Sequence, residues 1–206
     1  MPTILLLARH GQTDDNARSV FQGQRGAGLN ERGRAQAERL AARVAGTIDL
    51  VVSSDLQRAR ETAEIVARAA KLDVAIDRAL REVDVGAWSG LAYDEVAARF
   101  PEEWAAFRAG IDVARGGGET YAALAERIHA ALSDIARRAR GKRVLVVSHG
   151  AALRSVVCKT LGVPPRWTAP LAGMANAALT TLVFDDDDAP RVHAYNDASH
   201  LGDLAD

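Results

Sequence analysis

The chain has 206 residues, and 48% of them are hydrophobic, which is enough for one compact domain with a sizeable core. Lys and Arg number 26 and Asp and Glu number 27, so the net charge of −1 gives no overall field that would recruit nucleic acid or a membrane. Cys158 is the only cysteine, which excludes an internal disulfide and fits a reducing compartment, so we expect a cytoplasmic protein. No run approaches the roughly 20 apolar residues that a membrane span requires.

The first predicted element is a buried strand, Thr3 to Ala8, which leads into Arg9, His10 and Gly11. A continuous apolar run followed by polar residues is typical of a central strand in a parallel sheet. The carboxyl ends of such strands carry the ligands of open α/β folds. The sequence therefore places His10 where a site is expected.

The polar, glycine-rich stretch from Gln12 to Gly28 predicts a loop across the mouth of that site. Asn16, Gln22 and the backbone of Gly23 could contact a bound anion. Asn16 and Gln22 could equally satisfy turn backbone, and the residues alone leave both interpretations open.

The second strand-to-helix unit begins with a predicted strand over Ile48 to Val52. Ser54 and Gln57 have the spacing of a capping box, so we expect Ser54 to begin the helix rather than to attack a substrate. Arg58 lies in the first turn of that helix, where unpaired backbone N–H groups and the helix dipole favour an anion.

The segment from Gly86 to Gly118 is expected to form a helical cap over the crevice. Its aromatic side chains either pack together or line the pocket, and the sequence leaves both open; they are Trp88, Phe100, Trp104 and Phe107. Three successive glycines, Gly116 to Gly118, predict a hinge at the end of the cap.

The third unit consists of a helix over Glu119 to Arg140 and a strand over Arg143 to Ser148, followed by His149 and Gly150. Apolar residues in the helix recur at steps of three and four, which is typical of one buried face. The strand repeats the pattern of the first unit, in which an apolar run delivers a His-Gly pair.

The last stretch predicts a hairpin with strands over Ala177 to Phe184 and Arg191 to Tyr195. Four successive aspartates, Asp185 to Asp188, suit a solvated tip better than a metal site, because adjacent carboxylates in a turn do not converge on one ion. The sequence offers no ligand cluster at zinc or magnesium spacing, so we expect neither a metal nor a cofactor.

Three strand ends thus carry polar side chains that would meet at one edge of a parallel sheet: Arg9, His10, Arg58 and His149. Guanidiniums are planar, permanently charged donors suited to phosphate oxygens. An imidazole without a neighbouring cysteine or metal cluster is suited to act as a covalent nucleophile. The sequence therefore predicts a site for a phosphoryl group.

These residues belong to a longer series of motifs that resembles the histidine phosphatase superfamily in its phosphoglycerate-mutase-like branch. The motifs occur in family order from residue 4 to about residue 160: Leu7 to Thr13, Asn16, Phe21 to Gly23, Leu29 to Gly33, Gln36-Ala37, Ser53 to Ala59, Thr62-Ala63, Arg81-Glu82, Gly86 to Gly90 and Ser148 to Gly150. The resemblance implies a three-layer α/β/α fold with a mostly parallel central sheet. It implies one domain over residues 1–206, with a cap over about residues 86–118.

The resemblance also implies roles for the site residues. It makes His10 the nucleophile that forms a phosphohistidine, with Arg9, Arg58 and a cationic His149 stabilising the phosphoryl oxygens. Glu82 becomes the candidate acid and base. The expected substrate-binding residues are Arg9, Asn16, Gln22, Gly23, Arg58, His149 and Gly150.

Three functions remain at this stage. The first is a phosphomonoesterase acting on a small, negatively charged metabolite, the second is a cofactor-dependent phosphoglycerate mutase, and the third is a non-catalytic phosphate-binding protein. All five core residues are present, which disfavours the third. The stretch after Glu82 lacks the Tyr-Gly and Asn-Lys of the mutases and the chain is shorter than they are, which favours the phosphatase.

The expected partner is therefore a small phosphate ester rather than nucleic acid or a membrane, and a homodimer stays open. Leu171 to Ala177 and Tyr195-Asn196 are similar to bacterial members of the family that dephosphorylate glucosyl-3-phosphoglycerate. Both matches lie outside the chemical core, so the sequence does not choose among sugar phosphates, phosphoglycerates and nucleotide-like esters.

Overall fold

A computed structural model describes residues 1–166, 169–185 and 189–205. Its strands form one sheet with the order β3-β2-β4-β1-β5-β6. The strands are β1 (Thr3–Arg9), β2 (Leu50–Ser53), β3 (Val74–Ile76), β4 (Arg143–Ser148), β5 (Leu179–Phe184) and β6 (Pro190–Asp197).

Strand β1 lies at the centre of the sheet, and its neighbours run in opposite directions. It pairs in parallel with β4, which places Arg9 opposite Ser148, and antiparallel with β5. Strand β2 pairs in parallel with both β4 and β3, while β6 pairs antiparallel with β5. The expected mostly parallel sheet is confirmed, since β5 alone runs against the other strands, and both antiparallel pairings lie at one edge.

Helices cover both faces of the sheet. They are α1 (Asp14–Ala17), α2 (Glu31–Val44), α3 (Gln57–Ala70), α4 (Tyr93–Arg99), α5 (Pro101–Arg108), α6 (Tyr121–Arg138) and α7 (Gly150–Thr160). Leu6 and Ala8 of β1 pack with α2 and α3 on one face, and Leu5 and Leu7 pack with α6 and α7 on the other. This alternation gives the predicted three-layer α/β/α fold, because successive strand residues point to opposite faces.

The long helix α6 follows the predicted periodicity. Thr120 is its N-cap, and the Thr120 hydroxyl accepts a hydrogen bond from Ala123 N at 3.1 Å. The predicted apolar face is buried throughout, and it consists of Tyr121, Leu124, Ile128, Leu132 and Ile135. No helix in the described part of the chain is long and apolar enough to cross a bilayer.

The start of α3 differs from the prediction. Ser54 does not begin the helix, because the N-cap is Leu56 and no side chain caps it. The Ser54 hydroxyl accepts a weak hydrogen bond from Leu56 N at 3.3 Å and also lies 2.9 Å from His149 Nε2. A tertiary partner therefore takes the hydroxyl that the sequence pattern assigned to a local cap.

The cap segment contains α4, α5 and short 3₁₀ turns at Gly86–Trp88 and Arg115–Gly117. The four aromatic residues named from the sequence pack together: the ring centroids of Trp88 and Phe107 are 5.7 Å apart and those of Trp88 and Trp104 are 6.1 Å apart. Trp88 is fully buried. The packing interpretation therefore holds for these four residues. A fifth aromatic residue of the cap, Tyr93, lines the pocket together with Phe21 of the preceding loop.

The glycines that end the cap form a close backbone crossing, and the hinge that the sequence suggested stays a prediction. Gly116 has a φ of +55°, and a Cβ there would lie 2.6 Å from Ala87 N and 2.7 Å from Val85 O. Only a residue without a side chain fits between these backbones. The crossing fixes the end of the cap against its beginning.

The C-terminal strands form the predicted hairpin. Residues 186–188, which include three of the four aspartates, lie outside the described residues, so the expected solvated tip stays a prediction. Within residues 1–166, 169–185 and 189–205, no group of three or more His, Cys, Asp or Glu side chains could hold a metal ion.

Candidate active site

Strands β1 and β4 bring the two predicted histidines together at the carboxyl edge of the sheet. His10 N donates to Ser148 O at 3.0 Å, and the ring centroids of His10 and His149 are 5.2 Å apart. The two side chains are nearly inaccessible, with exposures of 2% for His10 and 0% for His149. The pairing of parallel neighbours therefore sets their separation.

The tautomer of His10 follows from its backbone neighbour. His10 Nδ1 lies 2.7 Å from Gly11 O, and because a carbonyl oxygen only accepts, Nδ1 carries the proton. Nε2 then has a lone pair, to which Arg58 Nε donates at 3.1 Å. Burial lowers the pKa of His10 well below its usual 6.5, and the charges of Arg58 and Arg9 lower it further. The ring is therefore neutral at pH 7.

Arg58 is buried in the first turn of α3 and is oriented by the loop in front of it. Its Nη1 donates to Arg25 O at 2.6 Å and its Nη2 to Gly23 O at 2.7 Å. Burial lowers the pKa of Arg58 to about 10, so the guanidinium stays charged at neutral pH. Arg9 Nη1 donates to Met174 O at 2.5 Å, and both arginines line the same cavity as His10.

His149 is the N-cap of α7, and its Nε2 lies 2.9 Å from the Ser54 hydroxyl. Its Nδ1 is buried without a hydrogen-bond partner among the described residues. Burial lowers the pKa of His149 well below 6.5, and the charge of Arg58 adds to this effect. His149 is therefore neutral in the free protein, because a buried imidazole beside guanidiniums is hard to protonate. The expected cationic His149 beside a bound phosphate stays a prediction.

Glu82 lies at the N-terminus of α7 and in the same cavity. Its Oε1 accepts from Ala152 N at 3.0 Å and from Val83 N at 2.9 Å, and its Oε2 accepts from Ala151 N at 3.2 Å. The helix dipole favours a carboxylate at this end. Glu82 is not the ion-pair partner of its neighbour Arg81, which binds both carboxylate oxygens of Asp55 at 2.6 Å.

The loop residues divide between the two interpretations that the sequence left open. Asn16 Oδ1 satisfies the turn, because it accepts from Thr13 N and Oγ1 at 3.1 Å each, although Asn16 also lines the cavity. Gln22 is buried and its Oε1 has no hydrogen-bond partner in the described residues, so it does not satisfy turn backbone. Gly23, whose carbonyl binds Arg58, and Gly150, the first residue of α7, line the cavity as predicted.

The cavity has a volume of about 260 Å³ and contains residues that sequence reasoning missed. Tyr93, Arg115, Tyr121 and Arg154 line it, while Asn176 Nδ2 donates to His10 O at 2.9 Å from beyond the wall. Tyr93, Arg115 and Tyr121 belong to none of the site motifs in the sequence. Arg154 follows His149 on α7, and Asn176 lies within the stretch Leu171 to Ala177 already noted in the sequence, but no motif assigns either of them to the site.

Comparison with known proteins identifies the family. The profile of the histidine phosphatase superfamily (branch 1) matches residues 5–198. The chain belongs to the histidine phosphatase superfamily.

Individual relatives agree with this assignment. Phosphoglycerate mutase-like protein 4 of Arabidopsis thaliana is 36% identical over 203 residues, covering 96% of this chain and 86% of that protein. The metal-independent phosphoserine phosphatase of Arabidopsis thaliana is 35% identical over 207 residues, covering 98% of this chain and 84% of that protein. Among solved structures, a mycobacterial glucosyl-3-phosphoglycerate phosphatase in complex with VO3 has a TM-score of 0.84 at 31% identity, covering 95% of this chain and 99% of that chain.

The superfamily assignment confirms the resemblance drawn from the sequence motifs. Relatives named as phosphatases fit the phosphatase interpretation and do not favour the mutase alternative. The order of the strands explains why motifs spread over residues 4–160 form one site: β2, β4 and β1 are adjacent in the sheet, although β3, the cap and α6 separate β2 from β4 in sequence.

Proposed function

We propose that this histidine phosphatase hydrolyses the phosphomonoester of a small metabolite through a phosphohistidine at His10. The observation that carries the proposal is the state of that imidazole. A proton on Nδ1, bound to Gly11 O, and a neutral ring leave the lone pair on Nε2. Arg58 Nε donates to this lone pair in the free protein, and a bound phosphoryl group would replace that hydrogen bond. A nucleophile needs such a lone pair at neutral pH.

In the first step His10 Nε2 attacks phosphorus in line with the ester oxygen. The N–P bond forms as the P–O bond to the alcohol breaks, and Glu82 in its acid form gives a proton to the leaving oxygen. Arg9 and Arg58 stabilise the charge on the three remaining phosphoryl oxygens. A bound phosphate dianion would raise the pKa of the adjacent His149, so that ring gains a proton only when substrate is present.

In the second step water attacks the phosphohistidine. The Glu82 carboxylate takes a proton from that water, the N–P bond breaks, and inorganic phosphate leaves with His10 again neutral. Atoms and charges balance over the two steps, and no metal ion is needed, because two guanidiniums and His149 supply the positive charge.

The size of the cavity supports a small substrate. Its volume of about 260 Å³ lies just below the range usual for drug-sized ligands, which starts at about 300 Å³. A phosphorylated three-carbon acid or amino acid fits this space better than a glycosylated one. The expected lack of nucleic-acid and membrane partners, the homodimer and the cytoplasmic location stay predictions.

The decisive experiment combines turnover with trapping of the intermediate. A panel of phosphomonoesters should release inorganic phosphate, and His10→Ala should slow release by about 10³-fold or more. The control His129→Ala removes a histidine on α6 outside the cavity and should keep its activity. A label trapped from a phosphoryl-labelled ester should be lost in acid and kept in base.

Two outcomes would contradict the proposal. Retention of a tenth of the wild-type rate by His10→Ala would exclude the covalent role. Interconversion of 3-phosphoglycerate and 2-phosphoglycerate, primed by 2,3-bisphosphoglycerate and faster than phosphate release from every ester, would assign the mutase instead.

A further inference from the structure

Arg115 contributes a buried cation to the cavity from the cap segment rather than from the edge of the sheet. It begins the 3₁₀ turn Arg115–Gly117 and has an exposure of 1%. The cavity that it lines is the one that holds His10, Arg9 and Arg58. The catalytic steps proposed above make no use of it.

The contacts of Arg115 leave its charge without an acidic partner. Its guanidinium carbon lies 3.9 Å from the centre of the Tyr121 ring, and its Nη2 donates to Glu119 O at 3.2 Å. Its Nε is buried and has no hydrogen-bond partner among the described residues. A buried guanidinium in this state is costly, and ligand oxygens would remove the cost.

The acidic residues beside Arg115 in the chain are engaged elsewhere. Glu119 forms an ion pair with Arg127 at 2.7 Å, and Glu103 Oε2 accepts from Gly116 N at 2.9 Å. Arg154, which also lines the cavity, donates to the carbonyl oxygens of Arg166, Ala169 and Leu171. Arg115 therefore differs from Arg154 in having a buried donor, Nε, without a hydrogen-bond partner among the described residues. Arg9 also lines the cavity, but the proposed mechanism assigns it to the phosphoryl group.

We infer that Arg115 binds a second anionic group of the substrate, a carboxylate or a second phosphate. This inference rests on the proposed function, because it takes the phosphoryl group to lie at His10. A guanidinium suits either anion, since its planar edge donates two parallel hydrogen bonds. The substrate class is then a small phosphomonoester that carries a further negative group, selected by a residue of the cap.

The test measures binding without turnover. In the His10→Ala protein, calorimetry compares 3-phosphoglycerate with glycerol 3-phosphate, in which a neutral hydroxymethyl group replaces the carboxylate. Glycerol 1,3-bisphosphate supplies the arm with a second phosphate. We expect the preferred ligand with a second anionic group to bind about 10- to 100-fold more tightly than glycerol 3-phosphate, because that group adds charge-assisted hydrogen bonds. Whichever of the two binds more tightly identifies the anion.

Substitution at Arg115 assigns the preference to this residue. Arg115→Met should reduce the affinity ratio to within about threefold of unity, and Arg115→Lys, which keeps the charge without the planar edge, should give an intermediate ratio. The matched control Arg108→Met removes an exposed arginine of the same cap and should keep the full ratio.

Equal affinity for all three ligands would overturn the inference, whether or not the variants fold. An unchanged ratio in Arg115→Met, or an equal loss of affinity for charged and neutral ligands, would overturn it too, because a structural role gives those results. If no ester releases phosphate but the ratio and its loss are observed, the proposed hydrolysis fails and the anion site stands. If esters release phosphate but a second anionic group does not increase affinity, the proposed hydrolysis stands and the anion site at Arg115 fails.

Discussion

The imidazole of His10 is held in one protonation state by its surroundings, and this predicts the pH dependence of activity. Burial, Arg58 and Arg9 all lower the pKa of His10 below 6.5, so the neutral form persists as the pH falls through that value. We expect the acid limb of kcat/KM, which reports the free enzyme, to lie below pH 6.5. The measurement is a profile of kcat/KM from pH 4 to pH 8 with an ester whose own ionisation is known.

A variant tests the cause of that limb. Arg58→Met removes the largest charge effect on His10 and should move the limb to higher pH, because an imidazole without a neighbouring cation is easier to protonate. A wild-type limb at or above pH 6.5, or one that stays in place in Arg58→Met, would contradict this account.

Glu82 gives a second prediction at the scale of the residue. Glu82→Gln keeps the size of the side chain but cannot transfer a proton, so kcat should fall by about 10²-fold or more. Glu64→Gln is the control, since Glu64 forms an exposed ion pair with Arg60 on α3 and lies outside the cavity. A near wild-type rate for Glu82→Gln would leave the fold unchanged and remove the proposed proton donor.

The residues that sequence reasoning found and those that it missed differ in how far away their partners are. His10 and His149 were predictable, because each follows a strand directly, and that pattern is local. The link between Ser54 and His149 spans 95 positions, and that between Asn176 and His10 spans 166. No single sequence reveals such a pairing, because an ordinary turn and a distant hydrogen bond use the same residue types.

At the scale of the element, the crossing at Gly116 predicts the stability of the cap. Gly116→Ala adds both backbone strain at a φ of +55° and a clash with the backbone of Val85 and Ala87. Gly117→Ala has a φ of +77° but open space around its Cβ, so it pays only the strain of about 1–2 kcal/mol. Urea unfolding should show that Gly116→Ala costs about 1–3 kcal/mol more than Gly117→Ala. Equal losses would mean that the crossing opens easily, as a hinge would.

Elements were predicted well where burial alone decides them. The apolar steps of α6 gave its buried face, since packing against a sheet requires one such face. The start of α3 was predicted wrongly, and the sequence did not reveal the close backbone approach at the cap glycines. In both cases the chain meets another segment, Ser54 at His149 and Gly116 at Val85, and this contact overrides the local pattern.

At the scale of the whole molecule, the buried histidines predict how stability depends on pH. His10 and His149 have lowered pKa values when folded, so between those values and 6.5 the unfolded chain binds more protons. The contribution of these two histidines to the free energy of unfolding is therefore fully present above about pH 6.5 and is lost as the pH falls below that value. The hydrogen bonds from Arg81 lower the pKa of Asp55 from 3.8, so its contribution to the free energy of unfolding is lost only at more acidic pH.

The free energy of unfolding should accordingly fall between pH 7.5 and pH 5.5 by about 1–3 kcal/mol, as two buried histidines imply. Urea titrations at the two pH values measure the change. His149→Gln should reduce this slope, whereas the exposed His193→Gln should keep it. Equal stability at both pH values would contradict the burial effect.

The central position of β1 has a consequence for how the protein is made. This strand precedes its partners β4 and β5, which begin at residues 143 and 179, so its backbone stays unpaired until those later segments have been made. Pairing at such separations is slow, because loop closure must precede it. An apolar strand left waiting is also prone to aggregate. The arrangement that places His10 beside His149 thus leaves an apolar segment of the nascent chain exposed until residues 143–184 have been made.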